Sequence, residues 1–552
     1  MHYFKLKYED MHVFINAIKN QGIKLLIFFP ILFLLIYWYI FSVDIPWYDD
    51  VMVIAFNRNA QTQGLDFTLI KQLFANYNEH ILVVTKVIFW LNYTCLGYIN
   101  LSYISLQGII IYLAFIYLLI RVTNRAIYSK IIILFTLSSL MYNEGYLWAM
   151  TSIQNFASLL FTLLSIIAIA DKKIKLSLIF LTMGLLSSAQ TLIIVPFLII
   201  ISYYHQILNW KLFFVLIVLL LFYFYGYEKT GIQPDIQSIL HSFSKERILN
   251  ILNFYAPPFG NLGASFSLVY SAVEFILLLL VLGNIGVDFK NKQLTKRKII
   301  LASLLLWSTF ILFFSFIIRF EIVPRYLLYS NIKTVTIFLY LLEINSNRKI
   351  AYSLSTAAIL FYFATLFPAF VLAKNTHLKM NELKFNLLKN KISYFFSTDD
   401  VDARKVTPYY KELDHNKVIK IPNRLNGRRF SHLLLFNQIS NEQINLSKFS
   451  KKFSGPFNVN DGKAILINKK IIVDSLSEFT VYQNTISSKN LIETFAIILK
   501  SKDLTIQFCY EIKMLTLTQF IKKPTLINQI TIYKNSLPYG EYDMYLIKYQ
   551  PY

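Results

Sequence analysis

The sequence predicts a mainly α-helical membrane protein, in which a bundle of about 11 transmembrane helices precedes a β-rich domain outside the membrane. The composition is 56% hydrophobic and 15% charged, with a mean hydropathy of +0.49. A soluble protein this apolar could not cover its core with polar surface, whereas a bilayer solvates the outward faces of a helical bundle. The apolar residues also form long uncharged blocks, such as 104–120 and 302–318, and about 20 such residues span a hydrocarbon core.

The candidate spans follow one another from the N-terminus with short connections. They are 23–42, 102–120, 127–141, 152–170, 176–188, 190–204, 211–225, 265–283, 299–318, 326–343 and 351–373. The first block is longer than the apolar core of a secretory signal, and more spans follow it, so it is interpreted as a retained helix. The centres of the spans look almost free of charge.

The distribution of charged residues predicts the orientation of the bundle, because basic residues concentrate in cytoplasmic loops. The segment 1–22 is basic and is expected in the cytoplasm, followed by the transmembrane domain 23–373 with a long first external loop at 43–101. Basic and acidic loops then alternate. An odd number of spans places residues 374–552 on the extracytoplasmic side, and the protein is expected to be a multi-pass protein of the cytoplasmic membrane.

The C-terminal region has a different pattern. Apolar and polar residues alternate from Leu504 to Met514, which indicates a half-buried strand, and 464–473, 525–533 and 542–549 are further candidates. Basic residues outnumber acidic ones here, which suits either a ligand such as anionic lipid headgroups or glycans, or simply a solvated basic surface. Chemistry between the two cysteines is not expected, because Cys95 and Cys509 lie in different regions.

The first external loop carries the strongest candidates for chemistry, Asp49 and Asp50. Pro46 ends the first helix, and Trp47 and Tyr48 suit the headgroup depth of the membrane, so the two carboxylates should be held just above the bilayer. Partial desolvation there would raise the pKa of a carboxylate and make it a better general base. Two adjacent carboxylates could also hold a divalent cation. The alternative is that they cap the amphipathic helix that follows.

Four further residues are candidates for substrate binding on the same side of the membrane. Glu79 and His80 could contact a substrate or a metal ion, or they could be polar residues at the membrane interface. Glu144 precedes Trp148 and could either bind substrate or cap the helix that starts near Thr151.

Two arginines lie at the outer end of a late span. Arg319 and Arg325 could clamp the phosphate of a lipid-linked substrate, because a guanidinium group binds phosphate through two parallel hydrogen bonds. They could equally extend towards the interface or pair with Glu321.

Together these segments resemble a family of bacterial polytopic membrane proteins related to the GT-C glycosyltransferase superfamily. The resemblance rests on the run 46–50 (Pro-Trp-Tyr-Asp-Asp), on Asn78-Glu79-His80, on Glu144 to Trp148 and on Pro324-Arg325-Tyr326. It covers roughly residues 20 to 345. The chain departs from the family pattern at Ile81, where an arginine is usual, and at Thr151, where a glutamine is usual.

The resemblance implies a GT-C-like fold in the bacterial inner membrane and transfer of a sugar from a polyprenyl-phosphate donor at the outer membrane face. It makes Asp49 the first choice for the general base and Asp50 the second. His80 lies where related transferases have a His-Pro-Pro segment, and Arg325 corresponds to a contact with the donor phosphate. The implied partners are membrane lipid, the polyprenyl-linked donor and a glycan, lipid or protein acceptor. Nucleic acid is not expected, and no cofactor is implied beyond a divalent cation at Asp49 and Asp50.

Three other functions stay open. The protein could be a flippase or transporter for lipid-linked oligosaccharides that catalyses no reaction, although such proteins usually show internal repeats and charges near mid-membrane. It could also be a surface-polysaccharide polymerase, whose defining loop would correspond to the late loop 226–264. A membrane anchor for the C-terminal domain is the third, but one or two spans would suffice for anchoring.

Overall fold

A computed structural model describes most of the membrane part of the chain and the strands of its C-terminal part. The described residues are 27–47, 49–63, 66–77, 80–123, 126–224, 264–319, 326–345, 347–390, 465–473, 481–488, 494–501, 505–512, 526–533 and 540–549.

The described residues include six helices that are long and apolar enough to cross a bilayer. They are α5 (Leu101–Val122), α8 (Ala149–Ala170), α12 (Ala264–Lys290), α13 (Lys296–Arg319), α14 (Leu327–Ile344) and α15 (Arg348–Asn390). Their lengths match a hydrocarbon core about 30 Å thick. The chain is therefore a membrane-embedded, mainly helical protein, as predicted.

A second set of apolar helices has only 10 to 17 residues each. It comprises α1 (Ile27–Phe41), α4 (Val83–Leu96), α6 (Ile127–Leu137), α9 (Ile174–Leu185), the 3₁₀ turn Ala189–Ile194 with α10 (Val195–Tyr204), and α11 (Trp210–Phe224). Each of the eleven predicted spans thus coincides with an apolar helix, but six of them reach membrane length. The count of eleven crossings stays a prediction.

Helices α5 and α8 pack closely against each other. Gly108 of α5 faces Ser152 of α8, and the rings of Tyr112 and Phe156 stack beside them at 4.4 Å between centroids. Small residues let two membrane helices approach closely, which strengthens packing where no hydrophobic effect acts between the helices and lipid.

Gly108→Ala is expected to destabilise this contact by about 1–3 kcal/mol, because a Cβ at that position would lie 2.6 Å from the Ser152 Cβ and 2.9 Å from its carbonyl carbon. The measurement is the thermal unfolding temperature of the detergent-solubilised protein. The matched control is Gly283→Ala in α12, where a Cβ meets nothing within 4 Å and where alanine favours the helix. Equal unfolding temperatures for the two variants would contradict the prediction.

The first loop between α1 and α5 is folded onto one end of the bundle. It contains α2 (Asp50–Gln63), α3 (Phe67–Phe74), the two-residue strands β1 (Asn76–Tyr77) and β2 (His80–Ile81), and α4. Asp66 caps the start of α3 by accepting from the Leu69 N–H at 2.7 Å. Lys86 of α4 closes the other end of α3, because its ammonium group donates to the carbonyl groups of Gln72, Leu73 and Ala75.

Helix α15 has 43 residues, with Pro368 in its interior, and at about 65 Å it extends beyond a bilayer. The predicted domain boundary at residue 374 lies inside this helix. Its extension packs against the end of the bundle that carries the first loop. The His377 Nδ1 lies 2.8 Å from the Phe41 carbonyl oxygen, and Met380 packs in the same apolar cluster as Trp47 and Trp148.

The predicted β-rich character of the C-terminal region is confirmed in the residues that the structure describes. Seven antiparallel strands form a four-stranded sheet in the order β3-β9-β5-β6 and a three-stranded sheet in the order β4-β8-β7. The strands are β3 (Ile465–Val473), β4 (Val481–Ser488), β5 (Thr494–Lys500), β6 (Thr505–Cys509), β7 (Glu511–Ile512), β8 (Leu526–Tyr533) and β9 (Gly540–Tyr549).

The strand predicted at 504–514 is divided at Tyr510 and contributes to both sheets, with β6 pairing to β5 and β7 pairing to β8. The sheets also contact α15 directly. The side-chain amide of Asn375 donates to the Ile512 carbonyl and accepts from the Ile512 N–H, both at 2.9 Å, and Leu526 packs beside Val371. The β-rich region therefore lies at the same end of the bundle as the first loop.

Candidate functional site

The carboxylate of Asp50 lies at the junction of the first loop and the membrane bundle. Its Oδ2 accepts from the Trp47 N–H at 3.0 Å, and its Oδ1 accepts from the Met150 N–H at 2.8 Å. Met150 is the second residue of α8, so Asp50 satisfies one of the unpaired N–H groups at the start of a 22-residue helix. The residue is 1% exposed. It therefore fixes the turn after α1 against the end of α8.

Burial raises the pKa of Asp50 to about 7, because desolvation disfavours the charged form. The hydrogen bonds from the backbone N–H groups of Trp47 and Met150 lower the pKa, and the neighbouring Asp49 raises it, but burial has the largest effect. A carboxyl group with this pKa exchanges its proton near neutral pH. The folded protein holds that proton over an interval in which the unfolded chain has lost it, so stability falls as the pH rises through the interval.

Asp49 is in a different environment from its neighbour. It stands at the position before α2, its carbonyl oxygen accepts from the Met52 N–H at 3.0 Å, and its side chain is half-buried. Asp49 is partly exposed, whereas Asp50 is 1% exposed and both its carboxylate oxygens accept from backbone N–H groups. Of the two adjacent acids, Asp49 is the more exposed.

A second acid of the first loop caps another long helix. Asp44 Oδ1 accepts from the Leu101 N–H at 2.8 Å, at the first residue of α5. Acids are favourable at a helix N-terminus, where the backbone dipoles place partial positive charge. Asp50 also accepts from an N–H group at a helix start, but that helix is α8, whereas the sequence-based alternative was a cap of the amphipathic helix that follows Asp50.

Trp148 lies beside this turn, where its ring is 5.7 Å from that of Trp47. Glu144 lies on the short helix α7 (Asn143–Leu147), where its carbonyl oxygen accepts from the Trp148 N–H at 3.0 Å. Trp148 is the N-cap residue of α8, but its side chain makes no capping hydrogen bond. The alternative to substrate binding for Glu144 was a cap of this helix. Asp50 provides that cap instead, because its carboxylate accepts from the Met150 N–H.

His80 is held by the turn that follows α9. The Ala189 N–H donates to the His80 Nδ1 at 3.2 Å, so Nδ1 is an acceptor and the neutral ring carries its proton on Nε2. Two residues further along, Leu82 packs in the apolar cluster that contains Trp47 and Trp148. His80 therefore belongs to the same folded end of the bundle as Asp50.

The turn that holds His80 also joins it to the start of α14. The side-chain oxygen of Gln190 accepts from the Ser188 hydroxyl at 2.9 Å and from the Tyr329 hydroxyl at 2.6 Å, and its backbone carbonyl accepts from the Trp307 indole at 2.9 Å. Tyr326, of the Pro-Arg-Tyr segment, lies 6.4 Å from Tyr329 between ring centroids. These contacts connect two segments that are far apart in sequence, and Gln190 was missed because nothing in its sequence surroundings indicates a site.

Three candidate residues are not placed by the described structure. Glu79 and Arg325 lie outside the described residues, as does most of the late loop 226–264. Arg319 is the last residue of α13, and its side chain is not described. Their roles stay predictions.

A divalent cation at Asp49 and Asp50 also stays a prediction. Among the described residues, three or more His, Cys, Asp and Glu side chains do not gather into a metal-binding group. Asp50 would have to exchange the N–H donors of Trp47 or Met150 for a cation, so Asp49 is the better ligand of the two.

An ion pair lies inside the membrane bundle. Lys333 of α14 and Glu274 of α12 approach to 2.8 Å between Nζ and Oε2, with 1% and 4% of their side chains exposed, and the Thr334 hydroxyl donates to Glu274 Oε1 at 2.5 Å. Glu274 and Lys333 are exceptions to the expectation that the spans are almost free of charge at their centres. Each residue is a lone charge in a long apolar run, so the sequence does not show that the two meet.

A comparison of the chain with protein-family models, with curated proteins and with solved structures finds no match.

Proposed function

We propose that this protein is a GT-C-like membrane glycosyltransferase. It transfers a sugar from a polyprenyl-phosphate donor to a glycan, lipid or protein acceptor, with Asp49 as the general base. The observation that supports this proposal best is the pairing of one half-buried carboxylate, Asp49, with one fully buried carboxylate, Asp50, at the end of a membrane bundle. The buried partner anchors the turn, and the accessible one is held where a lipid-linked donor and a water-soluble acceptor meet.

The reaction is a direct displacement. The Asp49 carboxylate takes the proton of an acceptor hydroxyl, whose oxygen attacks the anomeric carbon of the sugar. The bond between that carbon and the phosphate oxygen breaks, and its electron pair leaves with the lipid phosphate. Arg325, with Arg319, neutralises the departing phosphate by charge-assisted hydrogen bonds.

Two further features support a site at this end of the bundle. The turn at 188–190 contacts both His80 and Tyr329, so it links His80 to the start of α14, next to Tyr326 of the Pro-Arg-Tyr segment. The β-rich region lies at the same end and could present or shield an acceptor. The basic loops of the opposite end support an orientation in which this end faces the extracytoplasmic side.

Asp49→Asn is expected to abolish transfer, by roughly 10²–10⁴-fold, because the amide cannot accept the hydroxyl proton. The experiment compares the mass of surface glycans from cells that carry the variant, the wild type or no copy of the protein. The matched control is Asp66→Asn in the same loop, since asparagine caps α3 as well as aspartate does. Loss of one sugar unit with Asp49→Asn alone, at an unchanged amount of protein in the membrane, supports the proposal. Wild-type glycans from Asp49→Asn would remove Asp49 as the base.

A second function is favoured by the Glu274–Lys333 pair. Charged residues inside a membrane bundle usually mark a substrate or ion pathway, and a pathway is what a flippase for lipid-linked oligosaccharides requires. In that case the first loop would select the substrate and no bond would be broken. Variants of this ion pair, described in the Discussion, distinguish the two functions.

A further inference from the structure

A cavity of about 670 Å³ opens at the end of the bundle opposite to Asp50, among the ends of α5, α8, α13 and α14. Asp50 binds the first turn of α8, whereas the cavity is lined by the last turn of this 22-residue helix, about 33 Å away. A bilayer core is about as thick as this distance. The two sites therefore lie on opposite faces of the membrane.

The cavity has an apolar wall and a basic rim. Leu118, Leu164 and Ile167 contribute to the wall, and the side chains of Arg121, Lys296 and Arg297 contribute to the rim. We call this cavity the basic pocket. Its volume is within the range of small-molecule sites.

The charges of the basic pocket do not cancel. Lys296 Nζ lies 2.5 Å from Asp171 Oδ1, and Arg297 Nη1 lies 3.7 Å from Glu343 Oε1, which is a longer and weaker pair. Arg121 has no carboxylate partner among the residues that the structure describes. Three cations thus face two anions, and the guanidinium groups of Arg121 and Arg297 keep donors for a ligand.

The position of Lys296 and Arg297 adds to this imbalance. They are the first two residues of α13, where the unpaired N–H groups and the helix dipole already place partial positive charge. Cations are unfavourable at that end of a helix, and an anion bound there would offset the cost. A phosphate group suits the site because two arginines can each donate parallel hydrogen bonds to its oxygens.

We propose that the basic pocket binds the phosphate group of an anionic phospholipid, with an acyl chain against Leu118, Leu164 and Ile167. A free phosphate ion would satisfy the rim but not the apolar wall, whereas a phospholipid satisfies both. This inference is independent of the proposed transfer reaction, because the basic pocket lies at the other membrane face and contains none of the residues assigned to that reaction.

The test uses the full-length protein, purified in detergent and titrated with phosphatidylglycerol, with phosphatidylcholine or with inorganic phosphate. Bound lipid is counted by native mass spectrometry, and the unfolding temperature is measured at each concentration. Phosphatidylglycerol is expected to bind with defined stoichiometry and to raise the unfolding temperature, and the other two additives are not. Equal effects of phosphatidylcholine, or an equal stabilisation by inorganic phosphate, would overturn the proposal.

Two double variants distinguish lipid binding in the basic pocket from non-specific attraction to surface charge. Arg121→Gln with Arg297→Gln is expected to weaken phosphatidylglycerol binding by roughly tenfold or more. The control is Lys175→Gln with Lys349→Gln, which removes the same charge from exposed residues at the same end of the bundle but outside the pocket lining. Arg121→Gln alone breaks no ion pair among the described residues. It therefore shows whether phosphatidylglycerol binding is weakened when folding is unaffected. Equal weakening in the two double variants would mean diffuse attraction and would overturn the proposal.

Discussion

Asp50→Ala is expected to leave little folded protein in the membrane. The substitution removes the acceptor of two backbone N–H groups, those of Trp47 and Met150, in a site that is 1% exposed. A buried N–H group without a partner costs about 1–3 kcal/mol, so the loss is about 2–6 kcal/mol for the pair. The measurement is the amount of monodisperse protein recovered after detergent extraction, together with its unfolding temperature.

The Asp50→Asn variant separates charge from hydrogen bonding at the same position. In the wild type the raised pKa of Asp50 should lower the free energy of unfolding by about 3 kcal/mol between about pH 4 and about pH 7, because the folded state keeps its proton over that interval while the unfolded chain has released it. An amide does not titrate, so this part of the pH dependence should disappear in Asp50→Asn. A wild-type unfolding temperature for Asp50→Ala, or an unchanged pH profile for Asp50→Asn, would contradict the role of Asp50 as a buried anchor.

Removing one member of the Glu274–Lys333 pair is expected to destabilise the bundle by about 3–5 kcal/mol, because the remaining charge would be buried without its partner. Glu274→Gln and Lys333→Met are the single variants, and their combination should recover much of the loss. Thermal unfolding of all four proteins gives the interaction energy by a double-mutant cycle. The comparison is Lys296→Gln, which breaks a partly exposed pair with Asp171 and should cost no more than about 1 kcal/mol.

The same double variant distinguishes the two functions. If the pair only holds α12 against α14, the double variant folds and surface glycans are unchanged, as expected for a transferase that depends on Asp49. If the pair lines a transport pathway, the double variant folds but the glycan is lost as completely as in cells without the protein. Single variants as stable as the wild type would contradict the predicted cost of an unpaired charge in the bundle.

The helices of the membrane part were predictable because each is a continuous apolar run. Such a run can be recognised from its own residues, without knowing which segments pack against it. Their lengths were less predictable. The run at 127–141 is helical only from Ile127 to Leu137, whereas the last span continues as α15 to Asn390. Helix ends depend on turns and contacts with other segments, and hydropathy reports neither.

The contacts of the candidate site could not be predicted from sequence. The residues that interact, Asp50 with Met150 and His80 with Ala189, are separated by 100 and 109 positions. Sequence patterning indicates a buried or exposed face, but not which distant helix end a carboxylate meets. The helix-capping alternative for Asp50 named the amphipathic helix that follows it, whereas the carboxylate accepts from the first turn of α8.

In the β-rich region, alternation predicted the strand at 504–514, whereas β4 (Val481–Ser488) was not predicted. The buried positions Phe508, Tyr510 and Ile512 follow the predicted period of two. Strand β5 (Thr494–Lys500) was not predicted, because a central strand paired on both sides reads as a nearly continuous apolar run. Pairing with β6 and β9 defines this strand, and its own residues show no alternation.

The unbroken course of α15 constrains the spacing between the membrane and the sheets. Its residues 375–380 meet three different neighbours: Asn375 meets Ile512, His377 meets Phe41, and Met380 meets the cluster of Trp47 and Trp148. An inserted or deleted residue within this helix would turn everything beyond it by about 100° and shift it by about 1.5 Å. Insertions or deletions in α15 before Asn375 would therefore rotate the β-rich region away from its contacts with the bundle. This part of α15 should accept substitutions far more readily than insertions or deletions.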